Sequence, residues 1–229
     1  MNLLVLDTST RHAALAILDH LGQVHVAPSD PDQRHGRQLV PAIRDLLHQA
    51  NLTVGELSGV AVGLGPGSYT GLRVGLTAAK TLVYALNLPL VGFDSLEAIA
   101  QNAPADASRV SVVADAQRGD LYVAEFTRPD SSEPLVRAAP TRIVPAADWL
   151  ASLDAPTLVL GPGLERLPSP LPADAHSQPV GNEPEGKALV SFALNLWESG
   201  HRVDPMFLEP HYLRRSAAEE QWDRRGQPT

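Results

Sequence analysis

The chain has 229 residues, 44% of them hydrophobic, with no cysteine and a formal net charge of -8. That length buries a sizeable core as one large domain or two lobes, while the missing thiols exclude disulfides and thiolate metal sites. The acidic balance excludes a protein that grips nucleic acid unaided, because that affinity comes mainly from Lys and Arg neutralising phosphates. No apolar run approaches the roughly 20 residues needed to span a bilayer, and MNLLVLDTST has no basic leader and an Asp within its apolar run, so a cytoplasmic protein without a membrane segment is expected.

Leu3 to Asp7 is a short apolar run and Ala13 to Leu18 another, with the polar turn Thr8-Ser9-Thr10-Arg11-His12 between them. This pattern predicts a hairpin whose first strand ends in a carboxylate. A helix follows, with Leu39, Val40, Ile43, Leu46, Leu47 and Ala50 on one stripe opposite Arg37, Arg44, Asp45 and His48; Pro41 either starts it or kinks its first turns. Gly59-Val60-Ala61-Val62 reads as a buried strand running into GLGPGSYTGLRVG, Gly63 to Gly75. A second helix runs from about Thr70 to Leu86, stopped by Asn87 and Pro89. Strand Leu90-Val91-Gly92, helix Leu96 to Gln101 and a connector, Asn102 to Ser108, close a first lobe.

The opening arrangement then returns. Val110 to Asp115 is an apolar run ending in Asp, followed by the turn Ala116 to Asp120 and the run Leu121 to Phe126, so Asp7 and Asp115 hold matching places. Leu158-Val159-Leu160-Gly161 echoes Val60-Ala61-Val62-Gly63. Two lobes of related topology, residues 1–105 and 106–229, are the economical reading. The second is thinner: eleven of the 20 prolines fall between Pro129 and Pro184, which predicts long irregular connections. One helix follows, Lys187 to Ser199, with Gly200 as its stop. The tail from Arg214 to Thr229 reads as frayed.

The glycine-rich loop is where many proteins cradle a phosphate, and Gly65, Gly67 and Ser68 precede a helix N-terminus. Neither familiar nucleotide pattern fits: a Walker loop ahead of Lys80-Thr81 requires glycines where Val74 and Ala79 stand, and Ser68 occupies the third glycine position of the dinucleotide fingerprint. A different pattern stands out. Gly67, Gly71, Gly75 and Ala79 recur every four residues, a stripe that invites close backbone approach, either from this lobe's own sheet or from another chain's helix. Asp7 and Asp115 could hold magnesium or activate water across a cleft, or simply cap turns. No two of the eight His residues are three or four apart, as a helical metal pair requires.

Taken together, Leu6-Asp7-Thr8-Ser9, His35-Gly36-Arg37-Gln38-Leu39-Val40-Pro41, Val62 through Gly75, Asp115-Ala116-Gln117-Arg118-Gly119-Asp120-Leu121-Tyr122 and Tyr212-Leu213-Arg214 resemble the bacterial tRNA threonylcarbamoyladenosine biosynthesis protein TsaB family. The resemblance implies an α/β fold of two lobes with the duplicated actin, sugar-kinase and Hsp70 (ribonuclease H-like) topology, the second lobe reduced. It implies a non-catalytic relative of the enzyme that transfers a threonylcarbamoyl group to the adenosine beside the anticodon in tRNAs reading codons that begin with A. It further implies a catalytic paralogue of TsaD type as partner, a small ATPase of TsaE type joining the assembly, tRNA engaged only through the complex, and no cofactor. Where the enzymatic paralogue carries a helical His pair, this chain has His35 and Leu39. The alternative is an actin-like ATPase or kinase using Asp7 and Asp115. The expected partner face, which would also make a homodimer of the chain alone, is the apolar stripe Leu39, Ile43, Leu46 and Leu47 with Gly71, Val74, Gly75 and Ala78.

Overall fold

A computed structural model of the chain describes residues 1–28, 35–214 and Trp222, with the side chains of residues 35–37 outside the description. Its first sheet joins β1 (Leu3–Asp7), β2 (Ala14–Leu18), β3 (Val24–Val26), β4 (Gly59–Gly63) and β5 (Leu90–Phe93) in the order β3-β2-β1-β4-β5. β1 pairs antiparallel with β2 and parallel with β4. All five residues of β1 are buried, which is why its apolar run does not alternate with polar residues. Leu4 and Leu6 face one core with Leu39, Ile43, Leu46 and Leu47 of α1 (His35–Gln49) and with Leu76, Ala79 and Val83 of α2 (Tyr69–Leu86). Leu3 and Val5 face the opposite one.

The second sheet repeats this order in mirror listing, β11-β10-β6-β7-β8, from β6 (Arg109–Asp115), β7 (Asp120–Thr127), β8 (Val136–Arg137), β10 (Thr157–Leu160) and β11 (Ala175–Ser177), with β9 (Arg142–Pro145) also pairing β7. The duplication and the reduction are both visible. Where the first lobe has α1 of 15 residues and α2 of 18, the second has α4 (Ala146–Ala151) of 6 and a five-residue 3-10 turn, Pro162–Arg166. Trp149 of α4 is buried against Val113, Leu121, Val123 and Val159, filling with one large side chain a face that a longer helix would cover.

The two remaining helices change places. α3 (Ser95–Ala100) follows the first sheet but packs Leu96, Ile99 and Ala100 against Val110, Val112 and Phe126 of the second. α5 (Gly186–Glu198) follows the second sheet but packs Leu189, Val190 and Ala193 against Leu3, Val5, Ala16 and Val91 of the first. A cut at residue 105 therefore separates the strands but not the helices, because α5, Val203 and Leu208 complete the first lobe's core. The frayed tail expected beyond Arg214 lies outside the described residues except for exposed Trp222, whereas Arg214 itself is held.

Candidate functional site

The β1–β2 and β6–β7 turns carry the two matching aspartates, and each carboxylate closes its own turn. Asp7 Oδ1 accepts from Ser9 N–H at 2.8 Å and Asp115 Oδ1 from Gln117 N–H at 2.7 Å, the same bond two residues on. Beyond that their surroundings differ. Asp7 is 1% exposed, and a Cβ placed on Gly63 would lie 2.0 Å from its Oδ2, so the strand backbone seals it. Burial raises the Asp7 carboxyl above its ordinary range, opposed by the nearby Ser9 and Ser95 hydroxyls, and among the described residues no group donates to Oδ2 in good geometry. Asp115 is half-buried and pairs with Arg166 Nη2 at 2.6 Å.

Several of the glycine-rich loop's donors are spent internally. Gly65 N–H donates to Ser95 Oγ at 3.0 Å, Ser68 N–H to Ser9 O at 2.6 Å, and Ser68 Oγ caps α2 by accepting from Gly71 N–H at 3.2 Å. These groups are thus engaged by the chain itself rather than directed at a phosphate. The stripe behind the loop receives the β1–β2 turn: a Cβ on Gly67 would lie 2.2 Å from Ser9 O, one on Gly71 2.1 Å from Thr8 O, and one on Gly75 2.1 Å from Thr8 Oγ1. Thr8 Oγ1 donates to Gly71 O at 2.7 Å in the space the missing side chains leave.

This corrects the expected partner face. Leu39, Ile43, Leu46 and Leu47 are all buried in the first lobe's own core, and Gly71 and Gly75 lie under the turn, because an amphipathic helix beside a two-faced sheet turns its apolar stripe inward. Val74 and Ala78 remain partly accessible. The exposed positions of the two adjacent helices include Val40 at 69% and Tyr84 at 58%, with Arg44 and Thr77.

Gly67 and Asp115 do meet: with Tyr69, Gln117, Tyr122 and Arg214 they line a cavity of about 340 Å³ between the lobes, whereas Asp7, Gly65 and Ser68 lie outside it. A larger cavity, about 520 Å³, lies between the hairpin β2–β3 and the start of α5, lined among others by His12, Asn102, Glu183 and Lys187. Sequence reading missed Glu183, one of several carboxylates in a proline-rich connector. Its carboxyl is pushed up to about 7, first by burial and then by Asp7, Glu165 and Glu185, against a contact with Thr10. Glu183 Oε2 is buried and has no hydrogen-bond partner among the described residues. Among the described residues no group of three His, Asp or Glu is placed to hold a metal, and no helix is long and apolar enough to cross a membrane.

Comparison with known proteins gives this geometry a family. Residues 18–152 match the family model described as TsaD: tRNA N6-adenosine threonylcarbamoyltransferase. The Bacillus subtilis tRNA threonylcarbamoyladenosine biosynthesis protein TsaB is 30% identical over 97% of this chain and 98% of its own length. The Escherichia coli protein of the same name is 31% identical over 57% of each chain. The solved structure of YeaZ from Pseudomonas aeruginosa superposes with a TM-score of 0.76 at 27% identity, covering 93% of this chain and 99% of that one. The two-lobed duplicated α/β architecture and these matches along nearly the whole length agree, and the chain belongs to the TsaB family of tRNA threonylcarbamoyladenosine biosynthesis proteins.

Proposed function

We propose that this protein is a non-catalytic scaffold in the threonylcarbamoylation of the adenosine beside the anticodon, in tRNAs that read codons beginning with A. It binds and supports a catalytic paralogue of TsaD type, a small ATPase of TsaE type joins the assembly, and tRNA is engaged only through the complex. The observation that carries this reading is the state of Asp7: the carboxylate that an ATPase of this topology would turn toward a nucleotide is sealed beneath Gly63. Its turn is pressed against the glycine stripe of α2. A ligand cannot reach it without separating β1 from α2.

The partner face is assigned to the solvent side of α1 and α2, around Val40, Arg44, Val74, Thr77, Ala78 and Tyr84. Two helices of this length suffice for an ordinary contact of about 800 Å² per partner. The protein alone forms a two-fold dimer through the same face, so homodimer and heterodimer exclude each other. Mixing the purified chain with the catalytic paralogue, and following both complex formation and modification of tRNA, tests the proposal. Loss of modification without this chain, and recovery on adding it, are expected. ATP turnover by the isolated chain that disappears in Asp7→Ala would instead identify an enzyme.

A further inference from the structure

The stretch that follows α5 runs along one lobe and ends on the other. Val203 N–H donates to Leu90 O at 3.0 Å and His211 N–H to Leu64 O at 2.8 Å. Tyr212 packs on Tyr69, ring centroids 5.1 Å apart, and its hydroxyl accepts from Arg73 Nε at 3.0 Å. The Arg73 guanidinium in turn lies 4.1 Å above the Tyr69 ring. All these partners belong to the first lobe. Two residues later Arg214 reaches the β6–β7 turn of the second: Nη1 donates to Ala116 O at 2.6 Å and Gln117 O at 3.1 Å, and Nη2 pairs with Asp120. The side chains of Arg214 and Asp120 are only 20% and 25% exposed, so water competes weakly for the pair. A planar guanidinium presents its donors in a fixed fork that here serves two carbonyls and a carboxylate at once.

We infer that Tyr212-Leu213-Arg214 is a clasp that fixes the angle between the lobes, with Tyr212 fastened to α2 and Arg214 to the β6–β7 turn. The lobes are otherwise joined where the chain crosses between them, at a junction that Arg137 of β8 also ties by pairing with Asp94 and Glu97 at the start of α3, both at 3.1 Å. There Asn102 Nδ2 donates to the Gly181 and Glu183 carbonyls at 3.1 and 3.2 Å, and Gln178 Nε2 to Asn102 O at 3.2 Å. An attachment remote from that junction restrains rotation about it. Tyr212 and Arg214 also wall the 340 Å³ cavity, so the clasp sets the width of the groove above Asp115. Tyr69 and Arg73 stand on the exposed side of α2, so the clasp links that helix to the second lobe's turn. The inference does not depend on the scaffold reading.

The chain has no cysteine, so spin labels on His20→Cys and Ala147→Cys, both exposed and one in each lobe, report the interlobe distance without background. The parent is expected to give one narrow distance distribution and Arg214→Ala a broadened one with a longer component. Hydrogen exchange should quicken by about tenfold or more, equivalent to about 1.4 kcal/mol of local stability, at the β6–β7 turn and at the His211 amide across the cleft, while the amides of β1, β4 and β6 keep their protection. Arg214→Lys and Asp120→Asn, each removing part of the fork, should show the same pattern at smaller amplitude and serve if Arg214→Ala does not fold. An unchanged distance distribution in these variants, or exchange accelerated evenly over both sheets, overturns the clasp.

Discussion

Placing a methyl group on Gly75 tests the packing that organises the first lobe. Its Cβ would stand 2.1 Å from Thr8 Oγ1, against an ordinary separation of about 3.5 Å, so turn and helix must part by more than an ångström or the hydroxyl must leave Gly71 O. Overpacking costs about 1–3 kcal/mol, and the lost buried hydrogen bond about 1–3 kcal/mol. Alanine returns about 1 kcal/mol through helix propensity. Gly75→Ala is therefore expected to destabilise by about 3 kcal/mol, lowering Tm by roughly 6–12 °C for a chain of this size. In a Thr8→Ala background the offending oxygen is gone, and the same substitution should be neutral or stabilising. A double-mutant cycle in urea reads the coupling directly, with at least about 2 kcal/mol expected. Stabilisation by Gly75→Ala alone, or coupling below about 0.5 kcal/mol, would show that the turn does not rest on the glycine stripe.

Glu183 has a folded-state pKa of about 7 against an ordinary 4.5; folding favours its acid form, so the stability linked to that proton is full below pH 4.5 and lost as pH rises through 7. Glu183→Gln, which keeps the neutral shape, should narrow the fall in urea midpoint between pH 5 and pH 8, and an equal fall in both proteins would refute the assignment. Val40→Asp and Thr77→Arg, on the solvent side of α1 and α2, should abolish the homodimer and paralogue binding in sedimentation while stability stays within about 0.5 kcal/mol. Ile43→Glu, at a position 6% exposed, should instead lower the urea midpoint before any dimer is considered. Isolated protein should release no phosphate from ATP above background, and Asp7→Asn should leave that result unchanged.

Local pattern and partner identity were legible to different degrees. The hairpins ending in Asp7 and Asp115, the helix stops at Asn87 and Gly200 and the strands β4 and β10 follow from runs and breakers a few residues long. The four-residue recurrence of Gly67, Gly71 and Gly75 correctly demanded a close backbone, but no local signal names that backbone as Thr8 and Ser9, some sixty residues earlier. For the same reason the stripe of α1 announced a buried face without saying what buries it. β3, β9 and α4 are too short to show a period, and Trp149, a single residue, does the work of a helix face. Glu183 could not be read at all, since its raised carboxyl depends on burial and on the nearness of Asp7, which only the fold supplies.

The exchange of α3 and α5 between the sheets has a consequence for synthesis. As the chain leaves the ribosome, Leu3, Val5, Ala16, Ala61 and Val91 form one face of a sheet whose cover, Leu189 to Ala193, is made about a hundred residues later. At about 5–20 residues per second that face stays bare for roughly 5–20 s, long enough for a holding chaperone to bind it. Premature chains cannot bury it at all. Only a chain translated through α5 can cover the Leu3 and Val5 face of its first strand, and a shorter product leaves that apolar surface exposed.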